Sequence, residues 1–361
     1  MPTARTLHGA RLEVAPGLGP ALGSRLRSAW PRHRLAVVID ATVDALHGPT
    51  LRAGLPPETV WCPIPSGEAT KTRTTWAAVT DTLHAAGLGR DTVIVAVGGG
   101  VTTDLAGFVA ATFARGVPTV LVPTSLLAMV DAAIGGKTGV DTPHGKNLVG
   151  ALHHPELVLI DPRWLDTLPP ADRRHGAAEA LKHGIVADAA HVEWITTHLS
   201  AALDRTPFPS AVADALIARS VEIKAAIVEE DPEDRGRRRV LNFGHTIGHA
   251  LERLSDYTIP HGAAVAIGMV AEARLGERIG VTRDGVADRI AAACDALGLP
   301  TRGPSTLRPD AIVAATRADK KAAGGQVGYA LPETIGAMAG AASGFVIPVP
   351  DADVLRALTE M

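Results

Sequence analysis

The feature that most constrains the fold is a series of short, uninterrupted runs of Val, Ile, Leu and Ala in the first half of the chain. The clearest are RLAVVID (34–40), DTVIVAVGGG (91–100) and PTVLVPTS (118–125). Strands with apolar side chains on both faces are typical of a parallel sheet covered by helices. The segments between them predict a further strand at 59–65 and helices at 72–88 and 103–116. This alternation predicts βαβ units.

The second half of the chain has a different pattern, with few strand-like runs. Helices are predicted at 171–187, 189–204, 210–230, 242–256, 261–280, 284–297 and 309–318, with a late extended or hairpin segment at 325–336. The change follows the prolines Pro169 and Pro170. We therefore expect an α/β N-terminal domain with a parallel sheet over residues 1–169, and a mostly α-helical C-terminal domain over residues 170–361.

Charge and cysteine content narrow the classes of function. The chain has 361 residues and a formal net charge of −3, so no global field attracts it to nucleic acid or to an anionic membrane. Its two cysteines lie far apart, which favours a reducing, cytoplasmic setting. The N-terminus lacks the apolar core of a secretory signal, and no stretch has the ~18 uninterrupted apolar residues of a membrane span. We expect a small-molecule partner, with neither nucleic acid nor membrane.

Two turns after predicted strands suit a phosphate group. VGGGVTTD (97–104) places three glycines between a strand and a helix, where backbone N–H groups and the helix N-terminus can receive a pyrophosphate. IPSGEATK (64–71) is a second polar turn after a strand, and open α/β sheets bind nucleotides at such turns. Because the first motif is not GxGxxG, a tight strand-to-helix turn without a ligand remains the alternative.

A third glycine-rich segment, DAAIGGKTGVDTPHGKNLVGA (131–151), carries polar and charged side chains. It contains Asp131, Lys137, Lys146 and Asn147. Two lysines on glycine-rich backbone favour an anionic, phosphate-bearing ligand. The alternative is an exposed loop with solubilising lysines.

Three histidines are spaced as ligands of a metal ion could be. In LNFGHTIGHA, His245 and His249 lie one helical turn apart and share a face, and His261 follows after a short gap. The residue after the first histidine is not the Glu of the zinc-protease motif. Either the pair is packing, or a metal performs different chemistry.

The segment EALKHG adds a carboxylate to these histidines. Its Glu179 and Lys182 share a helix face at i and i+3, a spacing most often found in surface salt bridges. Alternatively, Glu179 could complete a metal site with His245 and His261, because two histidines and one carboxylate are a recurring catalytic ligand set.

Several longer segments resemble the 3-dehydroquinate synthase family in order and spacing, over roughly residues 10–345. They are GGGVTTDLAGFVAATFARGV, PTSLLAMVDAAIGGKTGVDTPHGKN, EALKHG, LNFGHTIGHALE and HGAAVAIGM. The resemblance implies a Rossmann-like N-terminal domain and a helical C-terminal domain, with NAD and a divalent metal, zinc or cobalt, held in the cleft between them. It also implies a homodimer.

The resemblance also implies roles for individual residues. The metal ligands would be Glu179, His245 and His261. The residues near NAD would be Asp40, Thr42, Ser66, Gly67, Glu68, Lys71, Gly99, Gly100, Val101, Thr102, Thr103, Asp104, Thr124, Ser125, Lys137, Lys146 and Thr167. The residues around the substrate would be Arg115, Asp131, Lys137, Asn147, Lys182, Lys224, Asp234, Arg238, Asn242, His249 and one lysine of Lys320 or Lys321.

The implied reaction converts 3-deoxy-D-arabino-heptulosonate 7-phosphate into 3-dehydroquinate and phosphate, in the shikimate pathway to aromatic amino acids. NAD transiently oxidises a hydroxyl, phosphate is eliminated, hydride returns, and an intramolecular aldol reaction closes the ring. The metal acts as a Lewis acid on adjacent hydroxyls. The enzyme would therefore be a carbon–oxygen lyase that uses its cofactor catalytically.

Related activities are the alternatives. Ala132, Ala133, Asp234 and Ala263 depart from the residues usual in the family, which leaves the aminodehydroquinate and sedoheptulose 7-phosphate cyclases open. The sedoheptulose enzymes alter the GGK segment and the Asn of LNFGH, and both are intact here. Metal-dependent polyol dehydrogenases share the fold but usually have Asp as first ligand and lack the Lys/Arg cage. A non-enzymatic NAD-binding regulator is a further alternative.

Overall fold

The structure is a computed structural model that describes residues 3–319 and 326–360. By contacts between residues it divides into two units. The first unit runs to Leu168 and also includes Pro207–Val221. The second comprises Pro169–Thr206 and the chain from Glu222 onward. The expected division of functions between residues 1–169 and residues 170–361 remains a prediction.

The first unit contains nine strands and four α-helices among its described residues. The strands are β1 Thr3–Leu7, β2 Ala10–Val14, β3 Arg34–Asp40, β4 Val60–Ile64, β5 Thr92–Gly98, β6 Thr119–Pro123, β7 Lys137–Thr142, β8 Gly145–Leu152 and β9 Leu157–Ile160. The helices are α1 Leu18–Ala29, α2 Ala41–Gly54, α3 Arg73–Ala85 and α4 Gly100–Thr112.

Seven of these strands form one sheet in the order β1-β2-β9-β6-β5-β3-β4. All neighbouring pairs are parallel except β1 and β2. Strand β3 pairs with β4 on one side and with β5 on the other, so the chain changes direction across the sheet at β3. Open parallel sheets bind ligands beside the carboxyl ends of strands at such a switch point.

The buried centre of the first unit follows directly from the sequence. Every residue of β5 and β6 is buried, and in β3 only the two terminal residues are not. Val37 of β3 lies opposite Val95 of β5, which in turn lies opposite Val120 of β6. These β-branched side chains are covered on both faces, which is why the runs are continuous rather than alternating.

The second unit is mostly helical. Its helices are α5 Pro170–Ala187, α6 Ala189–Trp194, α7 Ser210–Glu230 (which begins in the first unit), α8 His245–Leu254, α9 His261–Arg278, α10 Val286–Ala296, α11 Pro309–Asp319 and α12 Asp351–Thr359. Four short strands follow α11, namely β10 Val327–Tyr329, β11 Pro332–Thr334, β12 Ala337–Met338 and β13 Ile347–Val349. They pair as β10–β13 and β11–β12.

Close packing of α8 against α9 depends on glycine. A side chain at Gly268 of α9 would overlap the carbonyl oxygen of Gly244, and one at Gly248 of α8 would lie 3.1 Å from the carbonyl oxygen of Ala264. Gly244 also has a left-handed φ of 78°, which favours glycine. The backbones of the two helices therefore approach each other to a distance that larger residues would prevent.

The predicted fold class is confirmed, with local differences. Helix α4 begins at Gly100 rather than at 103, and it ends at Thr112 because Ala114 and Arg115 have left-handed φ values of 51° and 71°. The predicted helix 189–204 continues past Trp194 as a π-helical turn and then a 3₁₀ turn. The glycine-rich segment 131–151, for which no strand was predicted, contains the β7–β8 hairpin. Among the described helices, none has the length and apolar content to cross a bilayer.

Candidate functional site

Three helices of the second unit bring a carboxylate and two imidazoles together. Glu179 lies in the middle of α5, while His245 and His261 are the first residues of α8 and α9. Oε1 of Glu179 lies 3.4 Å from Nε2 of His245 and 3.2 Å from Nε2 of His261. The three candidate ligand atoms all lie within 4.8 Å of one another.

These separations fit a small divalent cation. Zinc binds histidine nitrogen and carboxylate oxygen at about 2.0–2.2 Å, and a tetrahedral angle then separates two ligand atoms by roughly 3.3–3.6 Å. The distances from Glu179 Oε1 to the two imidazoles are 3.2 and 3.4 Å. The donor set and its spacing therefore fit zinc, and cobalt accepts the same nitrogen and oxygen donors.

Burial and neighbouring charges set the protonation of this cluster. Burial opposes ionisation of Glu179, but Lys182 and the two histidines outweigh it and hold the pKa of the carboxyl well below its usual range. Burial and the charge of Lys182 lower the pKa of His245 to about 4. Burial also acts to lower the pKa of His261, but its hydrogen bonds to Glu179 and Glu252 raise it to about 9. One ionised carboxylate and one neutral imidazole are thus ready to accept a cation.

Two further predicted residues border the cluster. Lys182, almost wholly buried, forms an ion pair with Oε2 of Glu179. The ring of His249 lies 5.2 Å from that of His245 and 6.3 Å from that of His261, measured between centroids. An ammonium and a third imidazole beside the cation position suit a substrate that carries negative charge.

The N-terminus of α8 is held by a buried side chain of α9. Helix α8 begins after Gly244, which offers no side-chain cap. Instead, Glu272 accepts hydrogen bonds from the backbone N–H groups of Gly244 at 2.7 Å and Ile247 at 3.0 Å. The carboxylate satisfies two N–H groups that a helix start leaves unpaired. It thereby fixes the backbone on both sides of His245.

The other described residues of the second unit that were predicted to lie around the substrate are on α7 and near the turn before α8. Lys224 of α7 and Arg238 are buried. Arg238 donates to the carbonyl oxygen of Pro232 at 2.9 Å. Asp234 has a left-handed φ of 59°, and Asn242 ends a 3₁₀ helix just ahead of His245.

In the first unit, the turns after β3 and β4 are joined through Asp40. Its Oδ1 accepts from the backbone N–H of Thr42 at 2.8 Å and from the hydroxyl of Ser66 at 2.7 Å. The hydroxyls of Thr42 and Ser66 lie 2.8 Å apart. The structure therefore brings together three residues predicted to lie near NAD from two separate turns.

The glycine motif lies between β5 and α4, as predicted. The N–H of Thr103 donates to the carbonyl of Gly99 at 3.0 Å, and the N–H of Thr124, after β6, donates to the carbonyl of Gly98 at 2.9 Å. A side chain at Gly99 would lie 3.2 Å from the hydroxyl of Ser125. Strand ends, glycines and a helix N-terminus are thus assembled at one place, beside the switch point of the sheet.

Two side chains of the glycine motif are buried. Thr102 and Thr103 are buried, and Thr103 donates to the carbonyl of Gly100 at 3.0 Å. Because both side chains are buried, contact with a ligand would come through the backbone of this turn.

The β7–β8 hairpin is tied to the turn after β4. The buried Lys71 forms an ion pair with the half-buried Asp104 at 2.5 Å, and the carbonyl of Lys71 accepts from the N–H of Asp141 at 2.7 Å. Lys146 of the hairpin lies 3.0 Å from a carboxylate oxygen of Glu68. Burial raises the pKa of Asp141, and it outweighs the hydrogen bond from Asn147 and the charge of Lys71, which act to lower it.

Other predicted residues of the first unit occupy separate places. Arg115 is exposed and follows the C-terminal end of α4, which at about 1.5 Å per residue lies roughly 20 Å from the glycine motif. The hydroxyl of Thr167 lies 2.9 Å from Nε2 of His47. Asp131 lies in a π-helical turn and Lys137 begins β7, while Asn147 has a left-handed φ of 54°.

One predicted substrate position cannot be compared with the structure. Lys320 and Lys321 lie outside the described residues. The placement of one of these lysines beside the substrate stays a prediction.

Three buried or half-buried acids were missed by sequence reasoning. Glu252 contacts His261, Glu272 holds the start of α8, and the side chain of Asp141 accepts from the N–H of Asn147 at 2.8 Å. A signal existed for Glu272, which lies within the largely apolar run AVAIGMVAEARL, and an ionisable residue there needs a partner. Glu252 lies seven residues after His245, on the same face of α8.

Comparisons with known proteins agree with the resemblance. The family model described as 3-dehydroquinate synthase N-terminal matches residues 61–175, and the one described as 3-dehydroquinate synthase C-terminal matches residues 176–322. A 3-dehydroquinate synthase from Caulobacter vibrioides is 44% identical over 336 residues, which is 90% of this chain and 89% of that protein.

Two solved structures share the fold. One is 2-epi-5-epi-valiolone synthase from Streptomyces hygroscopicus with NAD⁺ and Zn²⁺ bound, at a TM-score of 0.85 and 30% identity over 99% of this chain and 98% of that one. The other is 2-deoxy-scyllo-inosose synthase complexed with carbaglucose-6-phosphate, NAD⁺ and Co²⁺, at a TM-score of 0.89. It covers 100% of this chain and 99% of that one at 24% identity, and so shows the fold alone.

The two family models and the extent of identity with a curated relative lead to one conclusion: this chain belongs to the 3-dehydroquinate synthase family.

Proposed function

We propose that this protein is an NAD- and metal-dependent carbon–oxygen lyase that cyclises 3-deoxy-D-arabino-heptulosonate 7-phosphate to 3-dehydroquinate and phosphate. The observation that carries the proposal is the cluster in which Oε1 of Glu179 lies within 3.4 Å of both His245 and His261. Curated 3-dehydroquinate synthases about 40–45% identical to this chain support the activity over the alternative cyclases and polyol dehydrogenases.

The cluster would hold the divalent cation through Glu179, His245 and His261. When bound, the cation would supply Lewis acidity to substrate hydroxyls, and NAD would accept and return one hydride. The protein's own part is to keep Glu179 ionised inside a buried site, which the ammonium of Lys182 supports. It also keeps His245 neutral, with a pKa near 4, so that Nε2 is free to act as a ligand.

The substrate brings a carboxylate and a phosphate, and the second unit offers cations for them. We assign the binding of these anions to Lys182, Lys224, Arg238 and Asn242, with His249 facing the phosphate and Asp234 beside them. Lys182, Lys224 and Arg238 are buried, so their attraction to an anion is weakly screened by water. Fixed cations of this kind orient a reactant and stabilise charge without rearranging during the reaction.

The first unit would hold NAD at the ends of its central strands. We assign the pyrophosphate to the backbone N–H groups of the turn Gly99–Asp104, where the N-terminus of α4 favours negative charge. The turns at Asp40–Thr42, Ser66–Lys71 and Thr124–Ser125 would complete the site, together with Lys137, Lys146 and Thr167. Hydrogen bonds among these turns, such as Ser66 to Asp40 at 2.7 Å, give this region a defined shape before NAD binds.

Asp131 and Asn147 would bind substrate hydroxyls and the carboxylate end, with Arg115 as a further anion-binding group. We also propose that the protein acts in the cytoplasm and forms a homodimer. The two cysteines are free and buried, which suits a reducing compartment. Size-exclusion chromatography with light scattering tests the dimer, and a monomer at micromolar concentration would contradict it.

The activity is tested by measuring phosphate release from heptulosonate 7-phosphate and from sedoheptulose 7-phosphate, with and without a chelator. We expect chelator-sensitive release from the first substrate without net formation of NADH. Release from the second substrate alone would assign the protein to the sedoheptulose cyclases. Net NADH from glycerol or another polyol, without phosphate release, would support a dehydrogenase.

A further inference from the structure

A buried glutamate outside the candidate ligand set contacts one of the ligands. Glu252 lies on α8 and is 2% exposed. Its Oε1 lies 3.3 Å from Nδ1 of His261, the first residue of α9. The other nitrogen of the same ring, Nε2, lies 3.2 Å from Glu179. The imidazole of His261 is therefore held between two carboxylates, one on each nitrogen.

This arrangement determines which nitrogen of His261 can bind a cation. A neutral imidazole carries one proton, and a carboxylate on one nitrogen keeps the proton there because the carboxylate can only accept. A cation held by Glu179 would displace the proton from Nε2, and Glu252 would hold the remaining proton on Nδ1, so that the lone pair of Nε2 faces the cation. A carboxylate partner also makes the imidazole a more basic ligand.

The other candidate histidine is oriented differently. Nδ1 of His245 lies 3.1 Å from the carbonyl oxygen of Phe243, a neutral acceptor two residues away in the chain. The local backbone thus orients His245, whereas His261 depends on a side chain nine residues earlier, at the far end of α8. A charged acceptor strengthens the ligand more than a neutral one does.

We propose that Glu252 is a positioning residue of the cation site, which raises the affinity for the divalent cation by fixing the tautomer and orientation of His261. This inference rests on the cation site assigned under the proposed function. It predicts an effect on cation binding itself, measured without substrate or NAD. A glutamate that only supported packing would alter the stability of the fold and leave the affinity for the cation unchanged.

The experiment titrates metal-stripped protein with Co²⁺, following heat by calorimetry and the visible absorption of the bound ion. The variants are Glu252→Ala, Glu252→Gln and the matched control Glu277→Ala. Glu277 is also a carboxylate of the same unit, and it accepts a single hydrogen bond, from the N–H of Ala287 at 2.8 Å. Thermal unfolding of each metal-free variant checks that it is folded.

We expect Glu252→Ala to weaken Co²⁺ binding by about 10- to 100-fold and to change the absorption spectrum of the bound ion. Glu252→Gln keeps an oxygen that can accept from Nδ1, so its loss should be roughly 3- to 10-fold, at or below the lower end of that range. Glu277→Ala should match the wild type.

Equal affinity and an equal spectrum in Glu252→Ala and the control would overturn the inference. If Glu252→Ala does not fold, Glu252→Gln decides alone, and wild-type affinity with a wild-type spectrum in that variant overturns it. A wild-type protein that binds no Co²⁺ overturns this inference and the proposed function together. Tight wild-type binding with no effect of either Glu252 variant overturns this inference only.

Discussion

The two units present their candidate ligand groups in different ways. In the first, the groups lie on turns that follow β3, β4, β5 and β6, four strands that are neighbours in the sheet, and many are backbone N–H groups. In the second, Glu179, His245 and His261 project from three different helices. The difference is between a site made by consecutive residues at strand ends and one made by helix packing. We expect the first to tolerate side-chain changes and the second to be sensitive to them.

The largest effect is expected from removing a candidate cation ligand. His245→Ala should abolish turnover and weaken binding of the divalent cation by more than about 100-fold, beyond the loss caused by outer partners. Metal content after dialysis and phosphate release measure the two effects. Binding of NAD to the first unit should change little. Near-normal activity in this variant would contradict the ligand assignment.

Loss of the buried cap on α8 should lower stability. Glu272→Ala leaves the N–H groups of Gly244 and Ile247 without their acceptor, at about 1–3 kcal/mol each, so the free energy of unfolding should fall by roughly 2–6 kcal/mol. Urea unfolding followed by circular dichroism measures it. Glu277→Ala, which loses one hydrogen bond at a half-buried site, is the control and should cost about 1 kcal/mol. Equal losses in the two variants would argue against this role of Glu272.

A smaller effect is expected from one added methyl group in the glycine motif. Gly99→Ala would place a carbon 3.2 Å from the hydroxyl of Ser125, on a turn whose backbone should approach a pyrophosphate. We expect roughly tenfold weaker NAD binding, or about 1.4 kcal/mol, with cation affinity unchanged. Fluorescence titration with NADH measures it. Gly89→Ala, where the added carbon would lie 3.5 Å from Asp91, is the matched control. Wild-type NAD affinity in Gly99→Ala would contradict the assignment of this motif to the NAD site.

The smallest effect is expected for the reactivity of the buried cysteines, of which each unit contains one. Burial raises the pKa of Cys62, in the first unit, to about 11 and that of Cys294, in the second, to about 12. Because only the thiolate reacts, the ionised fraction at pH 8 is roughly 10⁻³ or less, and it rises only as the pH approaches these values. We expect very slow reaction of single-cysteine variants with a disulfide reagent until denaturant exposes them. Rapid reaction of the native protein at pH 8 would contradict this burial.

Much of the first unit could be predicted from local sequence. The buried runs of β3, β5 and β6 are continuous because both faces of the sheet are covered, and the glycines after β5 mark the turn directly. The β7–β8 hairpin was missed because its strands form a small separate sheet with four consecutive exposed residues in β8. Such strands lack the continuous apolar pattern of the central sheet.

In the second unit, the contacts of the buried acids could not be predicted from the sequence. The one-turn spacing of His245 and His249 is a property of any α-helix, so their common face was predictable. Nothing in the sequence determines which buried acid faces which ring. Glu252 and Glu272 lie on different helices, and only the packing of α8 against α9 brings Glu252 to His261 and Glu272 to the start of α8.

The sequence by itself determined the fold class, the strand-end turns and the family, because each depends on patterns within short segments or on their order along the chain. The tertiary structure alone decided the distances among Glu179, His245 and His261 and the hydrogen bonds that orient them. Those distances depend on how closely α5, α8 and α9 approach each other, and for α8 and α9 that approach is controlled by the absence of side chains at Gly244 and Gly268. Periodicity along one helix carries no information about its separation from the next.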